Sequence, residues 1–238
     1  SSVAYAPEEI FLVLSIAGLS AYAFSPWIGL AVAAVLVIVV ASYRQNVRAY
    51  PSGGGDYEIA TKNLGATAGL TVGSALMVDY VLTVAVSLSS AAANIGSAVP
   101  FVAQHKVLFA IAASAILAAV NLRGLREAGK AIAFPTYAFV ACMLAMLGWG
   151  LVQIFVLGED LRAESAEFEL VAEQTDLTAI AFIFLLARAF SSGCAALTGV
   201  EAISTGVPAF RKPRARNAAT TLFMLGAIAV TLFLGVVF

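Results

Sequence analysis

A carboxylate and two hydroxyls recur at a spacing of four residues inside one apolar stretch, and together they could bind a cation. Asp79, Thr83 and Ser87 lie in the segment LMVDYVLTVAVSLSS. A helix repeats about every 3.6 residues, so these side chains would form one polar stripe. Their oxygens are donors that a hard cation such as an alkali ion prefers. The alternative is structural: Asp79 pairs with a base such as Arg188, and each hydroxyl bonds the carbonyl four residues back.

A second carboxylate, Glu201, follows small and polar residues in another apolar stretch, SSGCAALTGVEA. Gly193 and Gly199 favour a helix break here, and irregular backbone persists at membrane depth only where it is buried in protein or lines a cavity. The break would free carbonyls and amides beside Thr198 and Glu201, which suits ion or solute binding in a secondary transporter. The alternative is a continuous helix whose glycines allow close packing.

Glu201 is also the candidate for taking up a proton. A charged group at the bilayer centre costs about 2.5–3.5 kcal/mol on insertion scales, and burial away from water favours the neutral form of a carboxylate. A proton-coupled carrier needs an acid of this kind. The alternative is a structural acid that accepts hydrogen bonds from the freed amides.

The composition places these residues in a membrane. Of the 238 residues, 61% are hydrophobic and 11% charged, against about a quarter charged in a soluble domain, and the mean hydropathy is +0.96. These values indicate an all-α polytopic membrane protein whose surroundings are the lipid bilayer. The net charge of −1 gives no reason to expect nucleic acid as a partner. Cys142 and Cys194 both fall in apolar stretches, so we expect free thiols.

We expect no enzymatic activity and no cofactor. The glycine run at 53–55 lacks the Lys-Ser/Thr that follows in a phosphate-binding loop. We interpret it as a flexible cytoplasmic turn in an interfacial gate.

Seven stretches approach the 20 or so apolar residues that a span needs. They are Pro7–Phe24, Trp27–Ser42, Leu64–Ser97, Val107–Asn121, Ala131–Leu157, Leu177–Val207 and Ala218–Phe238. The acidic stretch Glu159–Asp176 is predicted to be a short surface helix. The chain would form one partial transporter domain, with helices 1b–5 in residues 1–157, an extracellular stretch at 158–176 and helices 6–7 in 177–238.

The basic residues predict the orientation. The loops after the second, fourth and sixth spans hold ten of the thirteen Lys and Arg residues. By the positive-inside rule these loops are cytoplasmic, which places the acidic stretch outside.

Two segments of opposite direction share a pattern, SSVAYAPEEI and CAALTGVEAI. Their comparison places Tyr5 opposite Thr198 and Glu8 opposite Glu201, as in an inverted repeat of five plus five helices. Glu8 and Glu9 follow Pro7 at a predicted helix start, where capping explains them as well as function does.

Four segments carry a family resemblance. Pro51, Gly54, Gly55 and Tyr57 are similar to a proline–glycine–glycine–tyrosine motif, and Thr198–Glu201 is similar to a glycine-x-glutamate signature. Through them the chain resembles the amino acid–polyamine–organocation (APC) superfamily. More narrowly, SSVAYAPEEI, YRQNVRAYPSGGGDY, DYVLTVAVS and SSGCAALTGVEAISTGVPAF resemble the KimA-like potassium importers of the KUP group.

The resemblance implies a LeuT-like inverted-repeat fold with helices 1 and 6 broken, and proton-coupled potassium uptake across the cytoplasmic membrane by alternating access. It implies a homodimer, with cyclic di-AMP bound only by a C-terminal domain that this chain lacks. The site positions it carries over are Tyr5, Asp79, Thr83, Ser87, Thr198 and Glu201. Potassium would be held at Asp79, Thr83 and Thr198, and Glu201 would take the proton. The family's aspartate before the serine pair would precede Ser1, so we expect a fragment.

An amino acid permease of the same superfamily is the alternative. Such permeases usually show a glycine-small-glycine break in helix 1, whereas Ser1–Ala4 holds no glycine. Asp79 would also repel a substrate carboxylate. A passive channel or membrane scaffold is a third possibility, but it gives no reason to keep two costly acids beside a glycine-rich break.

Overall fold

The computed structural model describes residues 2–122, 125–158 and 177–238, and helices dominate these ranges. The α-helices are α1 (Ser2–Ser15), α2 (Ser25–Ala49), α3 (Gly55–Leu64), α4 (Ala66–Ala98), α5 (Pro100–Gln104), α6 (Lys106–Leu122), α7 (Leu125–Val152), α8 (Ala179–Gly193), α9 (Val200–Thr205) and α10 (Arg214–Val237). The predicted surface helix at Glu159–Asp176 lies outside the described residues.

The chain forms two compact units. The first comprises residues 1–79 and 167–238, and the second comprises residues 80–166. The first unit holds α1–α3, the start of α4, and α8–α10. The second holds the rest of α4 and α5–α7.

The core of the first unit is built on the close pairing of α2 with α10. Small residues allow the two backbones to approach. A β-carbon on Gly29 would lie 2.7 Å from Val237 Cγ1, and one on Gly226 would lie 3.0 Å from Val40 Cγ1. Buried apolar side chains recur at helical spacing along both helices, among them Val32, Leu36, Val40, Leu222, Ala229 and Phe233. Helices α1, α8 and α9 pack on this pair, and α3 packs on α9.

The first predicted span, Pro7–Phe24, is wrong in both of its boundaries. Helix α1 runs Ser2–Ser15 with Pro7 inside it, so Glu8 and Glu9 lie in its second turn and do not cap its start. The chain then turns at Gly18, which has φ 83, and Leu19–Phe24 forms a 3₁₀ helix that leads into α2. Pro7 has no amide hydrogen to donate to the helix backbone. Its ring is fully buried and packs against the core of the unit.

Among the residues that the structure describes, five helical segments, some of them made of adjoining helices, are long and apolar enough to cross a membrane. They are Leu19–Ala49, Ala66–Ala98, Ile132–Leu157, Ala179–Thr205 and Arg214–Val237. The fourth predicted span corresponds to α6, which is apolar but has 17 residues, so it is about 25 Å long against a hydrocarbon core of about 30 Å. The all-α polytopic class is therefore confirmed. Helix α6 agrees with the fourth predicted stretch, Val107–Asn121, to within one residue at each end, whereas α1 matches only part of the first.

The second unit exposes apolar side chains on most of its helical faces. Helix α6 buries none of its residues, and Phe134, Tyr137 and Trp149 on α7 are exposed. Exposed apolar faces on membrane helices contact lipid or neighbouring helices. Cys142 on α7 and Cys194 after α8 are both free, as predicted.

Candidate ion-binding site

The helix that carries Glu201 is interrupted just before it. Helix α8 ends at Gly193, Cys194–Leu197 forms a 3₁₀ turn, and α9 begins at Val200. Between them Thr198 is extended, with ψ 140, and Gly199 has φ 92. A left-handed residue of this kind is strained when it bears a β-carbon, which explains why glycine is found there. The predicted interruption within 193–199 is therefore present, with Gly193 on its helical side.

Gly193 brings two other helices against the end of α8. A β-carbon at this position would lie 2.7 Å from Ile10 Cδ1 on α1 and 3.1 Å from Val32 Cγ2 on α2. Helix α1 packs both on α8 and on the 3₁₀ turn. The interruption is therefore held by protein on the side that faces α1 and α2.

Thr198 caps the 3₁₀ turn with both of its donors. Its Oγ1 donates to the carbonyl of Ala195 at 2.9 Å, and its amide donates to the same carbonyl at 3.1 Å. A hydroxyl group that donates its hydrogen can also accept a hydrogen bond or ligate a cation through its oxygen. Thr198 is partly buried between α8 and α9, and its role as an ion ligand stays a prediction.

Glu201 lies in the first turn of α9 and is partly buried. Its Oε1 accepts a hydrogen bond from Oγ1 of Thr205, one turn later, at 3.1 Å. Helix α9 packs on α2, α3 and α10, so Glu201 lies on a short helix that three other helices of the first unit contact. A negative charge at a helix N-terminus is favoured by the peptide dipoles.

The glycine run before α3 covers this acid. Gly53, Gly54 and Gly55 all have positive φ, at 85, 89 and 52. A β-carbon on Gly55 would lie 3.1 Å from Glu201 Oε1, and one on Gly53 would lie 2.6 Å from Pro208 Cδ. Both Gly53 and Gly55 are buried. Sequence reasoning missed this contact, although three successive glycines are the signal of a backbone that another element approaches closely.

Tyr5 lies on α1 and is 6% exposed. Because α1 packs on the 3₁₀ turn Cys194–Leu197, Tyr5 shares a packed group of elements with Thr198 and Glu201. These three of the predicted site residues therefore lie on elements that the structure brings together.

Asp79, Thr83 and Ser87 lie on one continuous helix, α4. Asp79 is exposed, and within the described chain it has neither a hydrogen bond nor an ion pair, so it does not pair with Arg188. Convergence of these three side chains with Thr198 and Glu201 stays a prediction.

The hydroxyls of Thr83 and Ser87 differ from others on the same helix. Thr71 and Ser74 bond the carbonyls four residues back, at 3.0 and 2.9 Å. Thr83 and Ser87 form no hydrogen bond with any residue that the structure describes, and both are partly buried. The structural alternative of local back-bonding therefore does not account for them.

Comparison with known proteins identifies the relatives. Residues 1–238 match the family model of amino acid permeases. The chain is 43% identical over 239 residues to the potassium transporter KimA of Bacillus subtilis (strain 168), which covers 99% of this chain and 38% of that protein. It is 29% identical over 137 residues to the low-affinity putrescine importer PlaP of Escherichia coli (strain K12), covering 56% of this chain and 28% of that protein.

The matched length is thus well under half of either relative. The resemblance inferred from the four sequence segments is confirmed. Together with the five long apolar helices, these matches make this a multi-pass protein of the cytoplasmic membrane. The chain belongs to the amino acid permease family.

Proposed function

We propose that the protein containing this chain imports potassium ions by alternating access and couples that import to protons. The observation that carries the proposal is 43% identity, over 99% of the chain, to a protein named a potassium transporter. The interrupted helix with Thr198 and Glu201 at the break supports it. Potassium and protons are the transported species, and no cofactor is required.

The cation site is built from oxygen atoms. Thr198 contributes a hydroxyl beside the backbone of the interruption, Tyr5 contributes a phenol from α1, and α4 contributes Asp79, Thr83 and Ser87. Potassium is held chiefly at Asp79, Thr83 and Thr198. Such donors replace the ion's water shell without the nitrogen and sulfur ligands that transition metals prefer. The free hydroxyls on α4 are available for this purpose because they are not engaged with their own helix.

Glu201 carries the proton. It lies three residues after Thr198 on the same broken segment, so the proton and the cation act on one element. The ionised carboxylate accepts the Thr205 hydrogen bond and faces the backbone of Gly55. Protonation removes its charge and weakens that acceptor, which alters how α9 packs on the 53–55 loop. This is how the charge of one side chain can change the population of two packing states.

Uptake of an amino acid is the second candidate. The family model is that of amino acid permeases, and a second relative is named a putrescine importer. Putrescine carries positive charge, which an acid such as Asp79 would attract. An amino acid also carries a carboxylate, which the same acid would repel.

Transport by the full-length protein in proteoliposomes tests the choice. We expect rubidium uptake that is stimulated by an inwardly directed proton gradient, abolished by Asp79→Asn and detached from the gradient by Glu201→Gln. Glu58→Gln, which changes an acid outside the spans, should leave both properties intact. Uptake of an amino acid with no movement of rubidium would overturn the proposal. Glu201→Gln that still follows the proton gradient would move the coupling elsewhere.

Assembly and regulation follow from the same family resemblance. The full-length protein is a homodimer, and cyclic di-AMP acts through a domain outside this chain. The mass of the purified full-length protein in detergent tests the first, and nucleotide binding by the full-length protein tests the second.

A further inference from the structure

An apolar groove runs along the outside of the α2–α10 pair. It has a volume of about 360 Å³, and its walls include Val37 and Ala41 from α2 and Phe223 and Ala227 from α10. Gly226 lies at its base, because a β-carbon there would meet Val40 at 3.0 Å. The groove exists because small residues alternate with larger ones on the same face of the pair.

A single cation closes one end of this groove. Arg44 lines it, and its guanidinium lies 5.1 Å from the centre of the Phe223 ring. The Nε of Arg44 is buried and has no hydrogen-bond partner among the described residues. A buried charged donor without a partner is costly. The ring offsets part of the charge and is at most a weak acceptor for the Nε hydrogen, so an anion at this end would complete the hydrogen bonding of the guanidinium.

Arg44 lies five residues before the end of α2, which is about 7.5 Å along the helix axis. The basic residues of the following loop predict that this end is cytoplasmic. The cytoplasmic leaflet is the one rich in anionic lipid. An amphiphile with a negative head and an apolar tail therefore matches both the position and the lining of the groove, whereas a free phosphate would leave the apolar walls without a ligand.

We propose that the groove binds one anionic phospholipid of the cytoplasmic leaflet, with its phosphate on Arg44 and an acyl chain along α2 and α10. The phosphate accepts the hydrogen of Arg44 Nε, and the arginine stem and Phe223 separate the head from the chain. A longer side chain at Ala227 would occupy the volume of the acyl chain. Arg48, one turn later on α2, is exposed and lies outside the lining.

Lipid retention by the full-length protein tests this site. The protein is purified in detergent, supplied with phosphatidylglycerol or phosphatidylcholine, and examined by native mass spectrometry. We expect preferential retention of phosphatidylglycerol that Arg44→Gln lowers about tenfold, the effect of losing one charge-assisted hydrogen bond. Arg48→Gln is the matched control and should retain the lipid. Ala227→Phe should lower retention of phosphatidylglycerol although Arg44 is unchanged.

Three results would overturn the proposal. The first is equal retention by Arg44→Gln and Arg48→Gln. The second is displacement of the bound lipid by inorganic phosphate alone, which would make the site a simple anion site. The third comes from cysteine substitution at Ala41 and Ala227: crosslinking to another segment of the protein or to a second copy would show that protein covers the groove. Loss of folding in Arg44→Gln would be visible by size-exclusion chromatography. In that case Ala227→Phe tests the proposal, and unchanged retention of phosphatidylglycerol by this variant would overturn it.

Discussion

Gly55 lies directly against the carboxylate of Glu201. A β-carbon on Gly55 would sit 3.1 Å from Oε1 of Glu201 and 2.6 Å from Oγ1 of Thr205. The glycine turn at the start of α3 and the short helix α9 therefore share one contact surface, and the acid proposed to take the proton is part of it. A shift of this turn would therefore change the surroundings of the Glu201 carboxylate.

The first prediction concerns this contact. Gly55→Ala should destabilise the folded protein by about 2–4 kcal/mol, because it combines left-handed strain with a clash at Thr205, and it should slow rubidium uptake. Gly158→Ala is the control, since Gly158 is also left-handed, with φ 66 and ψ 26, but its β-carbon would meet nothing within 4 Å. That variant should lose about 1–2 kcal/mol from strain alone. Thermal unfolding in detergent and uptake rates measure both, and equal effects of the two substitutions would contradict the contact.

A second prediction separates two threonines of α4. Thr83→Val should raise the KM for rubidium about tenfold, the effect of losing one polar ligand, because its hydroxyl is not used within the described structure. Thr71→Val, which removes a hydroxyl already bonded to the carbonyl of Thr67, should leave the KM near that of the unaltered protein. Uptake measured over a range of rubidium concentrations gives both values. A larger effect from Thr71→Val would place the cation elsewhere.

The close approach at Gly193 provides a third prediction. Gly193→Ala should destabilise the protein by about 1–3 kcal/mol through overpacking, since the new β-carbon meets Ile10 at 2.7 Å. Gly150→Ala on α7, where nothing lies within 4 Å, should be neutral or stabilising by up to about 1 kcal/mol. Adding Ile10→Val to Gly193→Ala should recover part of the loss, because it removes the nearest methyl group. Unfolding midpoints give the coupling between the two positions, and an absence of recovery would show that the strain lies elsewhere.

A fourth prediction concerns pH and lies outside the spans. Lys62 donates a hydrogen bond to Glu58, and Ser52 donates another at 2.5 Å. These two bonds hold the pKa of Glu58 below its usual 4.5, and the hydrogen bond from Lys62 is the larger cause. Because the folded pKa is lower than the unfolded one, the stabilisation is present above pH 4.5 and is lost as the pH falls through the folded pKa.

Ser52→Ala should therefore raise the pKa of Glu58 toward its usual value. Carbon-13 shifts of the glutamate carboxyl groups during an acid titration measure this, with Glu58→Gln identifying the signal. A Glu58 that titrates at 4.5 in the unaltered protein would contradict the two hydrogen bonds.

The helix interruption in the candidate site could be predicted from the sequence alone. The interruption at Thr198–Gly199 was predictable because small and polar residues interrupt an apolar run there. Irregular backbone is tolerated at membrane depth only where it is buried in protein or lines a cavity. The first span was predicted wrongly because the apolar composition continues through Leu19–Phe24. The break there depends on Gly18, a single residue whose positive φ has no strong compositional signal.

The amino-acid sequence by itself determined that this is a polytopic helical membrane protein. It also determined where the apolar segments lie and which acidic residues fall within them. Those properties depend on local composition, because lipid penalises every unpaired charge and peptide group near it. Only the tertiary structure decided that Gly55 covers Glu201, that Ile10 and Val32 meet Gly193, and that Arg44 closes a groove with Phe223. Such partners are distant in the chain. They meet because α3 packs on α9, α8 packs on α1 and α2, and α10 packs on α2, and local composition does not specify these pairings.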